Sequence, residues 1–183
     1  MKDGILLVED SNDDTFLIRD AFKRQGWTSE LEVVRDGVEA IEYLQGSGPY
    51  ADRSRFKLPD LMLLDLKIPY FDGFQLLAWV KRQPGLRDLP VVISSDCDYV
   101  EDANKAYRLG AHSYFVKTNG FSDLVKLSLS MYRYCQQAKE DVNAKMPTRV
   151  WPSNFTCNPL TEVRGEEPIF NSVGGLATTQ VMN

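Results

Sequence analysis

Five short apolar runs, each stopping abruptly at a polar or charged residue, constrain what this chain can fold into more than any other feature. "ILLV" ends at Glu9 and Asp10, "LEVV" at Arg35 and Asp36, "LMLL" at Asp65, "LPVVI" at Ser94 and Ser95, and "SYFV" at Lys117. Runs this short that are Leu-, Ile- and Val-rich without alternation are expected of parallel strands covered on both faces. Between them lie amphipathic stretches with helix signals. Ser11 or Asn12 can cap a helix carrying Asp13 and Asp14 in its first turn, and Gly26 can end it. Gly37 to Leu44 places Val38, Ile41 and Leu44 on one face, and Phe74 to Arg82 turns Leu77 and Val80 inward. Tyr99 to Leu109 forms a fourth helix, and a fifth starts near Ser122 with Leu124, Leu127 and Met131 on one face. Strand alternating with helix predicts an α/β fold, a doubly wound parallel sheet.

The polar ends of these strands define the chemistry. Glu9, Asp10 and Asp65 are expected to converge on one rim of the sheet. Such a cluster repels itself and raises its own pKa values unless a cation sits in it, and oxygen ligands suit a hard divalent ion, Mg²⁺. Ser94 and Ser95 bring hydroxyls to the same rim, and Lys117 an ammonium.

Acid pair, acceptor acid, hydroxyl and lysine, in that chain order, resemble the response-regulator receiver domains of two-component signalling, which are CheY-like. Pro69, four residues after Asp65, and Gly73, eight after it, fall where the family has a proline and a glycine. "DGVEAIEYL" and "AYRLGAHSYFVK" match as well. The resemblance implies a five-stranded, flavodoxin-like sheet of order 2-1-3-4-5, with the site at its topological switch point. It also implies that Asp65 is the phosphoacceptor and that Glu9, Asp10, Asp65 and the backbone carbonyl of Lys67 hold Mg²⁺. Lys117 would contact the phosphoryl group, Ser95 would be the switch hydroxyl, and Tyr114 would turn inward behind it. Ser95 is preferred to Ser94 because it lies five after Pro90 and twenty-two before Lys117, the family spacing. A phosphoacceptor signalling domain of this kind is not a conventional enzyme.

The implied partner is a sensor histidine kinase. The eleven-residue polar stretch Ser47 to Lys57 resembles the longer connection of single-domain regulators that serve phytochrome-type kinases. A homodimer through helix four, strand five and helix five is a further expectation. Three departures from the family stand out: Glu9 replaces the commoner aspartate, Asp96 follows the switch hydroxyl, and Thr118 follows the lysine in place of proline. Two alternatives compete, a phosphorylation-independent receiver-like scaffold and a metal-dependent phosphatase. The latter would want an acid two residues after the nucleophile, where Lys67 stands.

At 183 residues with 43% hydrophobic content, the chain has enough apolar mass for one proper core and something left over. Residues 1–140 are read as the receiver domain. Residues 141–183, rich in Pro, Asn, Gly and Thr, are read as an irregular tail without an output domain. A net charge of -5 with no basic cluster argues against nucleic acid. Without a signal peptide or an apolar run of membrane-spanning length, the expected location is cytoplasmic. Cys97, Cys135 and Cys157 lack metal-ligand spacing and read as reduced thiols. His112, the single histidine, is read as a surface or loop residue, and Trp79, Tyr107 and Tyr132 as packing aromatics.

Overall fold

In the computed structural model, residues 4–26, 31–117 and 124–131 are described. Strands β1 (Ile5–Val8), β2 (Leu31–Val34), β3 (Leu61–Asp65), β4 (Val91–Ser95) and β5 (Ser113–Val116) alternate with helices α1 (Asn12–Arg24), α2 (Gly37–Gln45), α3 (Gly73–Arg82) and α4 (Val100–Arg108). Residues 124–131 are helical and are termed α5. The sheet is wholly parallel with order β2-β1-β3-β4-β5. The tail 141–183, Tyr132, Cys135, Cys157, Thr118 and the start of the fifth helix lie outside the described residues.

The continuous apolar runs follow from burial on both faces. Ile5 and Leu7 of β1, with Leu61, Leu63, Val92 and Phe115, pack against Ile18 and Phe22 of α1 and Leu127 and Met131 of α5. Leu6, Val8, Met62, Leu64, Ile93 and Tyr114 point the other way, against Leu44 of α2, Leu76, Leu77 and Val80 of α3, and Ala103 and Ala106 of α4. Each large aliphatic side chain so buried contributes about 1.5–3 kcal/mol relative to exposure. β2 lies at the sheet edge, and only its last residue, Val34, is buried.

Capping chemistry sets the helix starts. Ser11 Oγ accepts the Asp14 N–H of α1, Asp36 the Glu39 N–H of α2, and Asp72 and Gln75 form a reciprocal capping box on α3. Gly46 ends α2 in the left-handed conformation.

One local expectation is corrected: Val38 is half-exposed, and α2 instead buries Gly37, Ala40, Tyr43 and Leu44, with Phe71 of the loop after β3 close against Gly37. The stretch Ser47 to Lys57, expected as a longer polar connection, joins α2 to β3. It contains a 3-10 turn, Gly48–Tyr50, and its rings Tyr50 and Phe56 meet edge to face at 5.0 Å centroid separation beside Tyr43. Arg53 locks it, donating to Leu44 O (2.6 Å) and Phe56 O (3.0 Å) while covering Gly46. His112 lies in the bend between α4 and β5, the loop position expected of it, and is half-buried there. Its Nδ1 accepts the Val91 N–H and its own N–H donates to Val91 O, tying β5 to β4. Burial pushes its pKa down to about 4, with Lys81 nearby adding to the effect.

Candidate phosphoacceptor site

Parallel strands of matched length deliver their C-terminal residues to one rim. Glu9 and Asp10 follow β1, Asp65 ends β3, Ser95 ends β4 and Lys117 follows β5. Glu9 and Asp65 are buried and Asp10 is exposed. One carboxylate oxygen from each of these three residues lies within 4.8 Å of the others. Burial raises the Glu9 pKa, Asp65 adding repulsion and Lys117 opposing it.

Lys117 is the counter-charge. Its Nζ donates to Glu9 Oε2 at 2.7 Å, Asp14 Oδ2 at 2.7 Å and Asp65 Oδ2 at 2.8 Å. Burial alone would lower its pKa, but the hydrogen bonds from Asp14, Asp65 and Glu9 outweigh it and raise the value, so the ammonium stays charged. Asp65 Oδ1 accepts the Lys67 N–H at 3.0 Å, which fixes the carboxylate's rotation. The Lys67 side chain points into solvent. Pro69 leads into Tyr70, which has φ 63° and is 87% exposed, and the loop returns to Gly73. A Cβ at Gly73 would sit 2.5 Å from Asp65 O and 2.6 Å from Leu66 Cα, so this turn under β3 needs glycine.

On the far side, Ser95 Oγ accepts the Cys97 N–H at 3.1 Å. The Tyr114 hydroxyl donates to Cys97 O at 2.9 Å, and the ring is 1% exposed. Tyr114 thus already occupies the inward position that it was expected to reach by moving. Burial lifts its phenol to about 12, Ser95 opposing. The hydrogen bond to Asp102 pushes the Cys97 thiol pKa up, with the backbone at Tyr99 opposing. Ser94 Oγ is buried without a hydrogen-bond partner among the described residues, whereas Ser95 is engaged. Asp96 is exposed.

The structure therefore brings Glu9, Asp10, Asp65 and Lys117 together, with Ser95 and Tyr114 joined through Cys97. Asp14 is the member that sequence reasoning missed. It reads as a residue favourable to the helix dipole, and it also lies one helical turn beyond the acid pair, aimed back at the rim. That placement was the only available signal.

Comparison with known proteins identifies the class. Residues 5–128 match the model of the response regulator receiver domain, and the chain belongs to that family. It is 42% identical over 123 residues to a probable methanogenesis regulatory protein, FilR2, of Methanothrix harundinacea, covering 66% of this chain and 75% of that protein. It is 37% identical over 123 residues to the response regulator Rcp1 of Synechocystis sp., covering 67% and 82% respectively. Among solved structures, the phosphorylated cyanobacterial phytochrome response regulator RcpA superposes with TM-score 0.69 at 33% identity, covering 80% of this chain and 99% of that one. The Mn²⁺-bound form of Rcp1 superposes with TM-score 0.62 at 32% identity, covering 82% and 99%. The chain is thus a two-component receiver similar to phytochrome response regulators.

Proposed function

We propose that Asp65 accepts a phosphoryl group from the phosphohistidine of a sensor kinase, and that the resulting acyl phosphate is read out by Ser95 and the surface around α4, β5 and α5. The observation that carries this reading is the Asp65 carboxylate, nearly buried and oriented by the Lys67 N–H, lying 2.8 Å from the Lys117 ammonium within a group of three metal-type carboxylates.

The donor set fits a hard divalent ion, all oxygen and close enough to share one centre. Glu9, Asp10, Asp65 and the Lys67 carbonyl would hold Mg²⁺. The ion would supply the positive charge that lets a dianionic phosphoryl group approach acidic residues. The protein's share is positioning and electrostatics. An Asp65 oxygen attacks phosphorus, the P–N bond of the donor breaks, and the imidazole nitrogen leaves with the electron pair and takes up a proton. Lys117 stabilises the equatorial charge. Ser95 releases the Cys97 N–H to donate to the phosphoryl oxygen. With Tyr114 already inward, the moving part is the Ser95–Cys97 contact and the segment leading to α4.

The Mn²⁺-bound and phosphorylated forms of the two relatives support this reading. Their phytochrome connection favours a phytochrome-like kinase, and the ordered connection Ser47 to Lys57 offers a surface for recognising it. No described helix is long and apolar enough to cross a membrane, in keeping with a cytoplasmic role. The test is incubation of wild type and Asp65→Asn with a small phosphoryl donor and Mg²⁺, followed by intact mass. Metal-dependent gain of one phosphoryl group by wild type alone is expected. No gain under any condition overturns the reading in favour of a phosphorylation-independent scaffold.

A further inference from the structure

An ammonium has three N–H donors, and in Lys117 each is directed at a different carboxylate, those of Glu9, Asp14 and Asp65, at 2.7, 2.7 and 2.8 Å. A phosphoryl oxygen therefore finds no free donor until a carboxylate lets go. The three partners are not equivalent. Glu9 and Asp65 belong to the group of three carboxylates whose oxygens can share a cation, and Asp65 is in addition the proposed acceptor. Cation and phosphoryl group therefore compete with the ammonium for the oxygens of these two residues. Asp14 belongs to no such group. It is the third residue of α1, its N–H is pinned by Ser11 Oγ at 3.2 Å, and its side chain is 35% exposed against 1% for Glu9 and 7% for Asp65.

We propose that Asp14 is the positioning residue for Lys117, the one carboxylate that keeps hold of the ammonium while Glu9 and Asp65 are taken up by cation and phosphoryl group. The helix cap fixes Asp14, Asp14 fixes the lysine head beside Asp65, and the two N–H groups released by the other acids become available to the phosphoryl oxygens. Without Asp14 the aliphatic stem alone would place the charge, and its rotamer freedom would return when it is needed least. This inference rests on Asp65 being the phosphoacceptor, but its physical core, that Asp14 holds Lys117 when Glu9 and Asp65 are otherwise engaged, is measurable without phosphorylation.

The experiment uses the full chain as wild type, Asp14→Asn and Asp14→Glu. Three readouts are taken: the rate of phosphoryl addition from a small donor at saturating Mg²⁺, Mg²⁺ affinity by calorimetry, and the Lys117 ammonium resonance in proton–nitrogen spectra with and without Mg²⁺. The expected result for Asp14→Asn is a rate about five- to tenfold lower, Mg²⁺ affinity within about twofold of wild type, and recovery of most of the rate in Asp14→Glu. The ammonium signal should persist in wild type when Mg²⁺ is added and vanish into solvent exchange in Asp14→Asn. An unchanged rate, a Mg²⁺ affinity that falls as far as the rate does, or an ammonium signal that survives Mg²⁺ in Asp14→Asn overturns the proposal. If wild type itself accepts no phosphoryl group, the phosphoacceptor reading fails, and the ammonium resonance still decides the role of Asp14.

Discussion

At the scale of single residues, Gly73 and His112 show how tightly the rim and the opposite end of the sheet are specified. Gly73→Ala would drive a methyl group into Asp65 O and Leu66 Cα. Backbone cannot yield as a side chain would, so a loss of about 2–4 kcal/mol is expected in urea unfolding, with phosphoryl acceptance impaired in whatever remains folded. His112 contributes with the opposite dependence on protons from a paired lysine. Its folded pKa of about 4 lies below the ordinary 6.5, so the unfolded chain binds the proton first as pH falls. Stability is therefore full above 6.5 and declines toward 4. The half-buried setting reduces the effect to roughly 1 kcal/mol between pH 7 and 5. Comparing wild type with His112→Gln isolates it from the carboxylates, and parallel stability curves for the two would sink the idea. The acid pair, Asp65 and Lys117 could be picked out from strand ends alone. Asp14 could not be assigned to Lys117 that way, because an acid in a first helical turn has a sufficient local explanation.

At the scale of elements, the connection between α2 and β3 is the informative case. Tyr43, Tyr50 and Phe56 form an edge-on cluster, and the Tyr50 hydroxyl donates to Glu39, whose other oxygen accepts the Arg35 N–H at 2.6 Å. Arg53 closes the end of α2 by occupying Leu44 O and Phe56 O. Arg53→Ala leaves these carbonyls to water and removes the cover over Gly46, at an expected cost of about 1–2 kcal/mol. Hydrogen exchange should rise in residues 44–57 while the rim is unaffected. A global loss of protection would show instead that the connection is integral to the core. Composition gave this stretch the look of a loop, since its two aromatics are separated by polar residues without either period. Only their convergence on Tyr43 makes it a structured element. The same limit explains Val38: a helical period names a face, but the neighbours decide which face is buried.

At the scale of the whole molecule, the described core closes with Leu127 and Met131 of α5 packed on the first face of the sheet. Residues 1–140 are proposed to be the complete receiver unit. A chain ending at residue 140 is expected to melt within about 3 °C of the full chain and to accept a phosphoryl group at a similar rate, since it contains every core residue described. A drop of tens of degrees would mean that the remaining segment packs on the domain. The doubly wound sheet and the five strand-end residues at one rim were legible in the chain's own pattern, and the strand order in its family likeness. The sheet and the rim follow from the period of hydrophobicity and from where each apolar run stops, both local properties of the chain, whereas the order came from the likeness. Long-range packing sets the rest: Lys117 divides its three donors among Glu9, Asp14 and Asp65, the buried Tyr114 donates to Cys97 O, and His112 bridges two strands. Such pairings join residues tens of positions apart, and no local pattern encodes which of several equivalent acids or carbonyls will lie within hydrogen-bond reach.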